Sequence, residues 1–221
     1  METQKSDLSW KDGGVPVSNR FDDPYYSLEN GLAETRYVFL QGNRLPERLC
    51  DGFHVAELGF GTGLNLLALA ELAAKSGAQI HFTSFEAFPL SAAQTAQALA
   101  AFPETAPYAP PLLAALEAGQ SQFQMPGLTV ELVLGDARET LPQWGGSADA
   151  WFLDGFSPAK NPELWGAELL AEVGRHTAQT GTCATYTAAG FVRQGLAAAG
   201  FTVERIPGFG RKRHMTVGQM P

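Results

Sequence analysis

Four acidic residues of this 221-residue sequence each follow a short apolar run: Glu57, Glu86, Asp136 and Asp154. Directly after Glu57 come Gly59-Phe-Gly-Thr-Gly63 and then a helix-forming segment over 64–74. Strand, tight glycine turn and helix make a nucleotide-binding crossover, in which a ligand meets the turn and the helix N-terminus. Glycine is required there because a Cβ would block close backbone approach and because the turn takes positive φ. In open α/β sheets the ligand sits beyond the C-terminal strand ends, where all four acids fall. An acid after the second strand, Glu86, is placed to accept from two ribose hydroxyls. Asp136, after the third, is placed to accept from an exocyclic adenine amine. Singly, each reads as well as a helix N-cap. As a set at one sheet edge they point to a site.

The glycine spacing separates two classes of cofactor. A dinucleotide fingerprint G-x-G-x-x-G aligned on Gly59 and Gly61 asks for Gly or Ala at 64, where the chain has Leu64. Glu57-Leu-Gly-Phe-Gly-Thr-Gly63 instead resembles the first motif of class I S-adenosylmethionine (SAM) methyltransferases. That resemblance puts Glu57, Gly59, Phe60, Gly61, Thr62, Gly63 and Asn65 at the cofactor, together with Glu86, Asp136 and Ala137. A sulfonium tolerates carboxylates and aromatic faces, and Phe60 and Phe156 offer the latter. Asp154-Gly-Phe-Ser-Pro158 follows the fourth strand, the position that faces the methyl group in such folds. The plainer reading is a β–α loop with Asp154 as its turn residue.

Alternating strands and helices from residue 53 onward predict a parallel α/β sheet, and the resemblance implies that it is the class I methyltransferase (Rossmann-like) α/β fold. Its seven-stranded, mostly parallel sheet has strands expected over 53–58, 80–86, 128–134, 148–154, 182–187, 202–206 and 215–219. Helices are expected over 64–74, 89–101, 163–176 and 188–199. Residues 1–52 read as an N-terminal extension packed on the 53–221 domain, with a turn-rich lead-in (Gly13, Gly14, Pro16) and helices over 31–40 and 45–49. The segment 102–127 holds five prolines around a helical piece over 112–118 and reads as an insertion or cover.

Composition narrows the function class. The N-terminus lacks a basic region followed by an apolar run, and no stretch reaches the ~18 apolar residues of a membrane span. Cys50 and Cys183 lie far apart, and neither they nor the four histidines show metal-ligand spacing. These features predict a soluble, reduced, metal-free, cytoplasmic protein. Net charge is −8, yet residues 1–174 balance to −13 and residues 175–221 to +5. The basic C-terminal part, with Arg211, Lys212 and Arg213, reads as a polyanion-facing edge or as a solvated basic surface.

Longer motifs identify a family. Phe21-Asp-Asp-Pro-Tyr-Tyr-Ser27, Asn30-Gly-Leu-Ala-Glu-Thr-Arg36, Ser84-Phe-Glu-Ala-Phe-Pro89, Asp149-Ala-Trp-Phe-Leu-Asp-Gly-Phe-Ser-Pro-Ala-Lys-Asn-Pro162 and Gly208-Phe-Gly-Arg-Lys-Arg213 accompany the glycine turn. Together they resemble the SAM-dependent methyltransferase module of the bacterial tRNA wobble-uridine modification enzymes, bifunctional MnmC and stand-alone MnmD. The resemblance implies N-methylation of 5-aminomethyl-2-thiouridine at the wobble position, giving 5-methylaminomethyl-2-thiouridine. It implies Asp154 as the catalytic residue, and Asp22, Tyr26, Phe156, Lys160, Arg211, Lys212 and Arg213 on the substrate side. The partner is then the tRNA anticodon stem-loop, whose phosphates the basic residues would position and whose loop bases are already single-stranded. Bifunctional relatives continue into a flavin-dependent oxidase, fused or separate, so FAD is expected only if such a C-terminal domain follows. Two alternatives are a SAM-dependent enzyme for another amine, on a small molecule or a protein, and a non-catalytic tRNA-binding module.

Overall fold

The computed structural model describes residues 7–11, 14–27 and 30–221. Residues 1–6 and Gly13 of the lead-in lie outside the described residues. The chain opens with a small antiparallel sheet of β1 (Leu8–Lys11), β2 (Val15–Ser18) and β3 (Asp23–Pro24). Helix α1 (Gly31–Thr35) follows, its first turn capped by the Asn30 side chain, which accepts from the Ala33 amide. It runs on as a π-helical turn over Arg36–Gln41 before the short α2 (Leu45–Arg48).

The main domain then alternates β4 (His54–Leu58), α3 (Leu64–Ser76), β5 (Ile80–Glu86), α4 (Ala92–Leu99), α5 (Ala109–Glu117), β6 (Gln122–Met125) and β7 (Leu128–Leu134). It continues with α6 (Ala137–Thr140), β8 (Ala148–Leu153), α7 (Ala167–Arg175), β9 (Thr177–Thr185), α8 (Gly190–Ala198), β10 (Thr202–Pro207) and β11 (His214–Gln219). The strand order is β10-β11-β9-β8-β4-β5-β7-β6, with β9, β8, β4, β5 and β7 parallel and the outer strands antiparallel. From β4 the chain first builds outward through β5 and β7, then returns to the other side of β4 with β8 and β9. The reversal opens a crevice at the C-terminal ends of β4 and β8, where ligands of this fold class bind.

Strand alternation divides the core between the two faces of the sheet. Val55, Phe82 and Phe152 pack on one face with Leu66, Leu67 and Leu69 of α3, a helix apolar nearly all round and accordingly buried. Ala56, Phe85 and Trp151 pack on the other with Leu170, Val173 and Leu196 of α7 and α8. Glu57 therefore points to the α3 side, an acid in an apolar layer.

The sheet has eight strands, one more than expected. Gln122–Met125 pairs antiparallel with β7, from Gln122 opposite Glu131 to Met125 opposite Leu128. Pro126 and Gly127, at φ 75°, make the tight turn, so the proline sits where no ladder N–H is needed. Two further elements differ from expectation. The helix expected over 163–176 is a 3-10 turn (Pro162–Trp165) followed by α7. The strand expected over 182–187 starts earlier, at Thr177, with a register shift against β8 between Ala148 and Ala150. Among the described residues no helix is long and apolar enough to cross a membrane.

Candidate active site

A cleft of about 620 Å³ lies beyond the C-terminal ends of β4, β5, β7, β8 and β9, within the size range of small-molecule sites. Arg20, Phe21, residues 23–27 and α1 wall it from the side of the N-terminal sheet. Gly59 sits at φ 86°, and a Cβ there would come within 2.7 Å of the Asp154 carbonyl oxygen. Only glycine lets the loop after β4 touch the loop after β8. The Gly61 amide donates to Glu86 Oε2 at 2.9 Å, and the Phe88 amide donates to Oε1 at 2.7 Å. Glu86 thus ties the glycine turn to the end of β5. Burial pushes its carboxyl up, while the surrounding backbone amides pull it back.

Asn65, in the first turn of α3, joins two strand ends. Its amide donates to Glu57 Oε1 and to Asp154 Oδ2, each at 2.8 Å, and its oxygen accepts from Thr35 Oγ1 at 2.8 Å. Ser84 Oγ donates to the other oxygen of Glu57 at 2.6 Å, and the Gly155 amide to the other oxygen of Asp154 at 2.8 Å. Burial raises Glu57 to about 8 against the pull of Ser84 and Asn65. Burial likewise raises Asp154 to about 6, with Asn65 and Gly155 opposing it. Near neutral pH Glu57 holds its proton and Asp154 is mostly ionised.

The far end of the cleft gathers residues from both ends of the chain. Lys212 Nζ donates to Glu34 Oε1 at 2.6 Å and stands 4.2 Å from the centroid of the Tyr186 ring. Tyr186 donates its hydroxyl to the Gly155 carbonyl at 2.8 Å. Burial pushes its phenol up, and the charges of Asp154, Asp23 and Glu34 add to that. Phe156 stacks on Phe21 at 4.7 Å and meets Tyr25 edge-on at 5.0 Å. The Ser157 amide donates to Asp23 Oδ2 at 2.8 Å, and Lys160 pairs with Asp22 at 3.1 Å. The loop after β8 is thereby pinned to the N-terminal segment.

Most expected site residues meet at this cleft. Gly59, Phe60, Gly61, Thr62, Asn65, Glu86, Asp136, Ala137, Asp154, Tyr26, Phe156, Lys160 and Lys212 line it. Glu57 stands behind the wall, wholly buried, and acts on the cleft through Asn65. Gly63 is the N-cap of α3 at φ 75°. Asp22, Arg211 and Arg213 lie off the wall, and Arg211 and Arg213 are exposed. Asp136 lines the cleft and also caps α6, accepting from the Arg138 amide at 2.9 Å and pairing with its guanidinium at 2.5 Å. Sequence reasoning missed Glu34, Thr35, Phe21, Tyr25 and Tyr186. Tyr186 had a usable signal, since it follows the fifth parallel strand at the same edge as the four acids. Glu34 had none, being one acid on a short helix.

Comparison with known proteins decides the class. Residues 105–221, more than half of the chain and including Asp154 and Lys212, match a family described as S-adenosyl-L-methionine-dependent methyltransferases. The chain belongs to this family of SAM-dependent methyltransferases. Over 97% of its length it is 49% identical to a Pseudomonas paraeruginosa protein named tRNA 5-methylaminomethyl-2-thiouridine biosynthesis bifunctional protein MnmC. Over 96% it is 45% identical to a Vibrio cholerae protein of the same name. In both cases it spans 35% of the relative's length, about a third. The crystal structure of MnmC2 from Aquifex aeolicus superposes with a TM-score of 0.76 at 27% identity, covering all of this chain and 72% of that one.

The residues fit SAM. Gly59 and Gly61 take positive φ, and a Cβ at Gly61 would project to 3.3 Å from the Tyr25 ring, into the space of the turn. Glu86 and Asp136 are carboxylate acceptors suited to hydroxyls and amines. Phe60 and Phe156 add aromatic faces near which a sulfonium is stable.

Proposed function

We propose that this chain methylates the primary amine of 5-aminomethyl-2-thiouridine at the tRNA wobble position. The observation that carries the chemistry is Asp154, a part-buried carboxylate held from both sides by Asn65 and the Gly155 amide at the cleft. The names of the relatives support the choice of substrate, since the similarity runs over nearly the whole of this chain.

Bound SAM would supply an electrophilic methyl group. The chain's part is to hold an amine with its lone pair free. An alkyl ammonium has a pKa of ~10.4 in water, far above that of Asp154, which therefore does not strip the proton. The nitrogen loses it to solvent, and Asp154 then accepts a hydrogen bond from the free amine, aims its lone pair and stabilises the positive charge that develops on nitrogen. Glu86 accepts from the ribose hydroxyls, Asp136 from the adenine amine, and the main chain over 59–62 lies against the cofactor. Tyr26, Phe156 and Lys160 shape the nucleoside side, with Asp22 acting through Lys160. Arg211 and Arg213 contact phosphate of the anticodon stem-loop in the cytoplasm. A flavin-dependent oxidase, fused or separate, works on the same nucleoside.

The test is the mass of wobble nucleosides in tRNA carrying 5-aminomethyl-2-thiouridine, before and after incubation with the protein and SAM. One added methyl on that nucleoside is expected. No change on tRNA, with methyl appearing on a small amine instead, would overturn the assignment.

A further inference from the structure

We infer that the Glu34 carboxylate and the Tyr186 ring receive the substrate's aminomethyl group as an ammonium, before it gives up its proton and turns to Asp154, and that Lys212 fills this subsite in the free protein. The inference rests on the aminomethyl-uridine reading above. A lysine side chain ends in a methylene bearing a primary ammonium, the same group that a 5-aminomethyl substituent presents. Lys212 Nζ makes the two contacts such a group would make, a 2.6 Å hydrogen bond to Glu34 and a position 4.2 Å from the Tyr186 ring centroid. Carboxylate and aromatic face together form an ammonium receptor.

The two partners differ in exposure. The Glu34 side chain is 11% exposed and built into the wall, whereas that of Lys212 is 43% exposed and enters from solvent. Lys212 can therefore leave while the receptor stays. Asp154 lies within electrostatic reach of both, raised by Glu34 and lowered by Lys212, and Asp23 acts on Tyr186 from the N-terminal segment. Once Lys212 swings out, the carboxylates of Glu34 and Asp154 face the cleft without a cation, and an incoming ammonium restores the balance. The departing Lys212 moves toward RNA phosphate beside Arg211 and Arg213. Recognition of the amine and binding of the RNA backbone then exchange one cation for another.

The experiment compares two anticodon stem-loop RNAs, one with 5-aminomethyl-2-thiouridine and one with 2-thiouridine, bound in the presence of S-adenosylhomocysteine at fixed salt. The ratio of their affinities reads recognition of the amine, separate from contacts to the RNA backbone. Wild-type protein should favour the amine-bearing RNA. Lys212→Met should widen that preference several-fold while weakening both RNAs. Glu34→Gln should shrink the ratio by roughly tenfold, on the scale of one charge-assisted hydrogen bond, leaving the part that belongs to Asp154, and Glu34→Asp should restore some of the loss. A preference unchanged in Glu34→Gln, or narrowed in Lys212→Met, overturns the inference. Wild-type protein that methylates no wobble amine overturns the functional reading instead.

Discussion

Asn65 Nδ2 and Asp154 Oδ2 stand 2.8 Å apart, so a side chain in the first turn of α3 holds the carboxylate just past β8. The same amide donates to Glu57, and Asn65 cannot turn away without leaving a buried and a part-buried acid short of a donor. Asn65→Leu keeps the volume and removes the amide. Stability should fall by about 1–3 kcal/mol, the cost of buried groups left unsatisfied. The Asp154 pKa should climb further above its value of about 6, moving the acid limb of the pH–rate profile to higher pH. A profile that does not move would uncouple the two residues.

Glu57 gives a stability signature. Its carboxyl holds a proton to about pH 8 in the fold, against an ordinary value of 4.5. The folded state therefore binds more protons than the unfolded state between those values, and stability falls as pH rises from about 4.5 to about 8. Glu57→Gln keeps an acceptor for Asn65 and a partner for Ser84 but has no charge to bury. Thermal melts from pH 5 to 9 should show the wild-type midpoint dropping more steeply than the variant's. Parallel curves would mean that Glu57 does not titrate in this window.

Glu86→Ala removes the anchor of the Gly61 amide and, with it, the proposed ribose acceptor. Calorimetry should show SAM binding weakened at least tenfold, on the scale of ~1.5–3 kcal/mol for a charge-assisted hydrogen bond. The wild-type chain should bind SAM and not NADH, in line with Leu64 at the position where a dinucleotide site needs a small residue. NADH binding of comparable strength would contradict the cofactor assignment.

Asp154→Asn retains an acceptor oxygen and loses the charge. Single-turnover methyl transfer should slow by roughly a hundredfold or more, as for loss of one preorganised electrostatic group, with SAM affinity little altered. Wild-type rates should rise with pH as more of the substrate amine becomes neutral. A variant that transfers methyl at the wild-type rate would make Asp154 a turn residue.

Arg211 and Arg213 stand off the cleft wall, and the proposed function gives them phosphate as partner. Replacing both by Ala should lower tRNA affinity and flatten the log–log salt dependence by ~0.7–0.9 per lost phosphate contact. SAM binding should stay as it is. An unchanged slope would mark them as solvated side chains.

The central fold was legible because its signals are local. Buried parallel strands are continuous apolar runs, and 80–86 and 128–134 match β5 and β7 to the residue. The glycine turn and the acids at the strand ends lie within a few residues of those runs, which is why Asn65, Glu86 and Asp154, all lining the cleft, stand out in the sequence. Strand β6 was obscured by the prolines before it, although Pro126 and Gly127 mark its turn. What stayed out of sight depends on distance in the chain. Glu57 looked like a ligand contact because strand periodicity does not tell which residues a neighbouring helix covers. Glu34 and Lys212 acquire meaning only as a pair, and no window on the sequence contains both.

That separation has a consequence in time. Glu34 and Lys212 are 178 positions apart, and Asp23 meets Ser157 across 134. The glycine turn, α3 and β5 can assemble from one short stretch of nascent chain. The end of the cleft where Glu34 meets Lys212 cannot close until β11 has emerged and paired beside β9. Contacts of such long range form late and slowly. During synthesis, then, the half of the cleft that would hold the methyl donor is built first and the half that would choose the acceptor last.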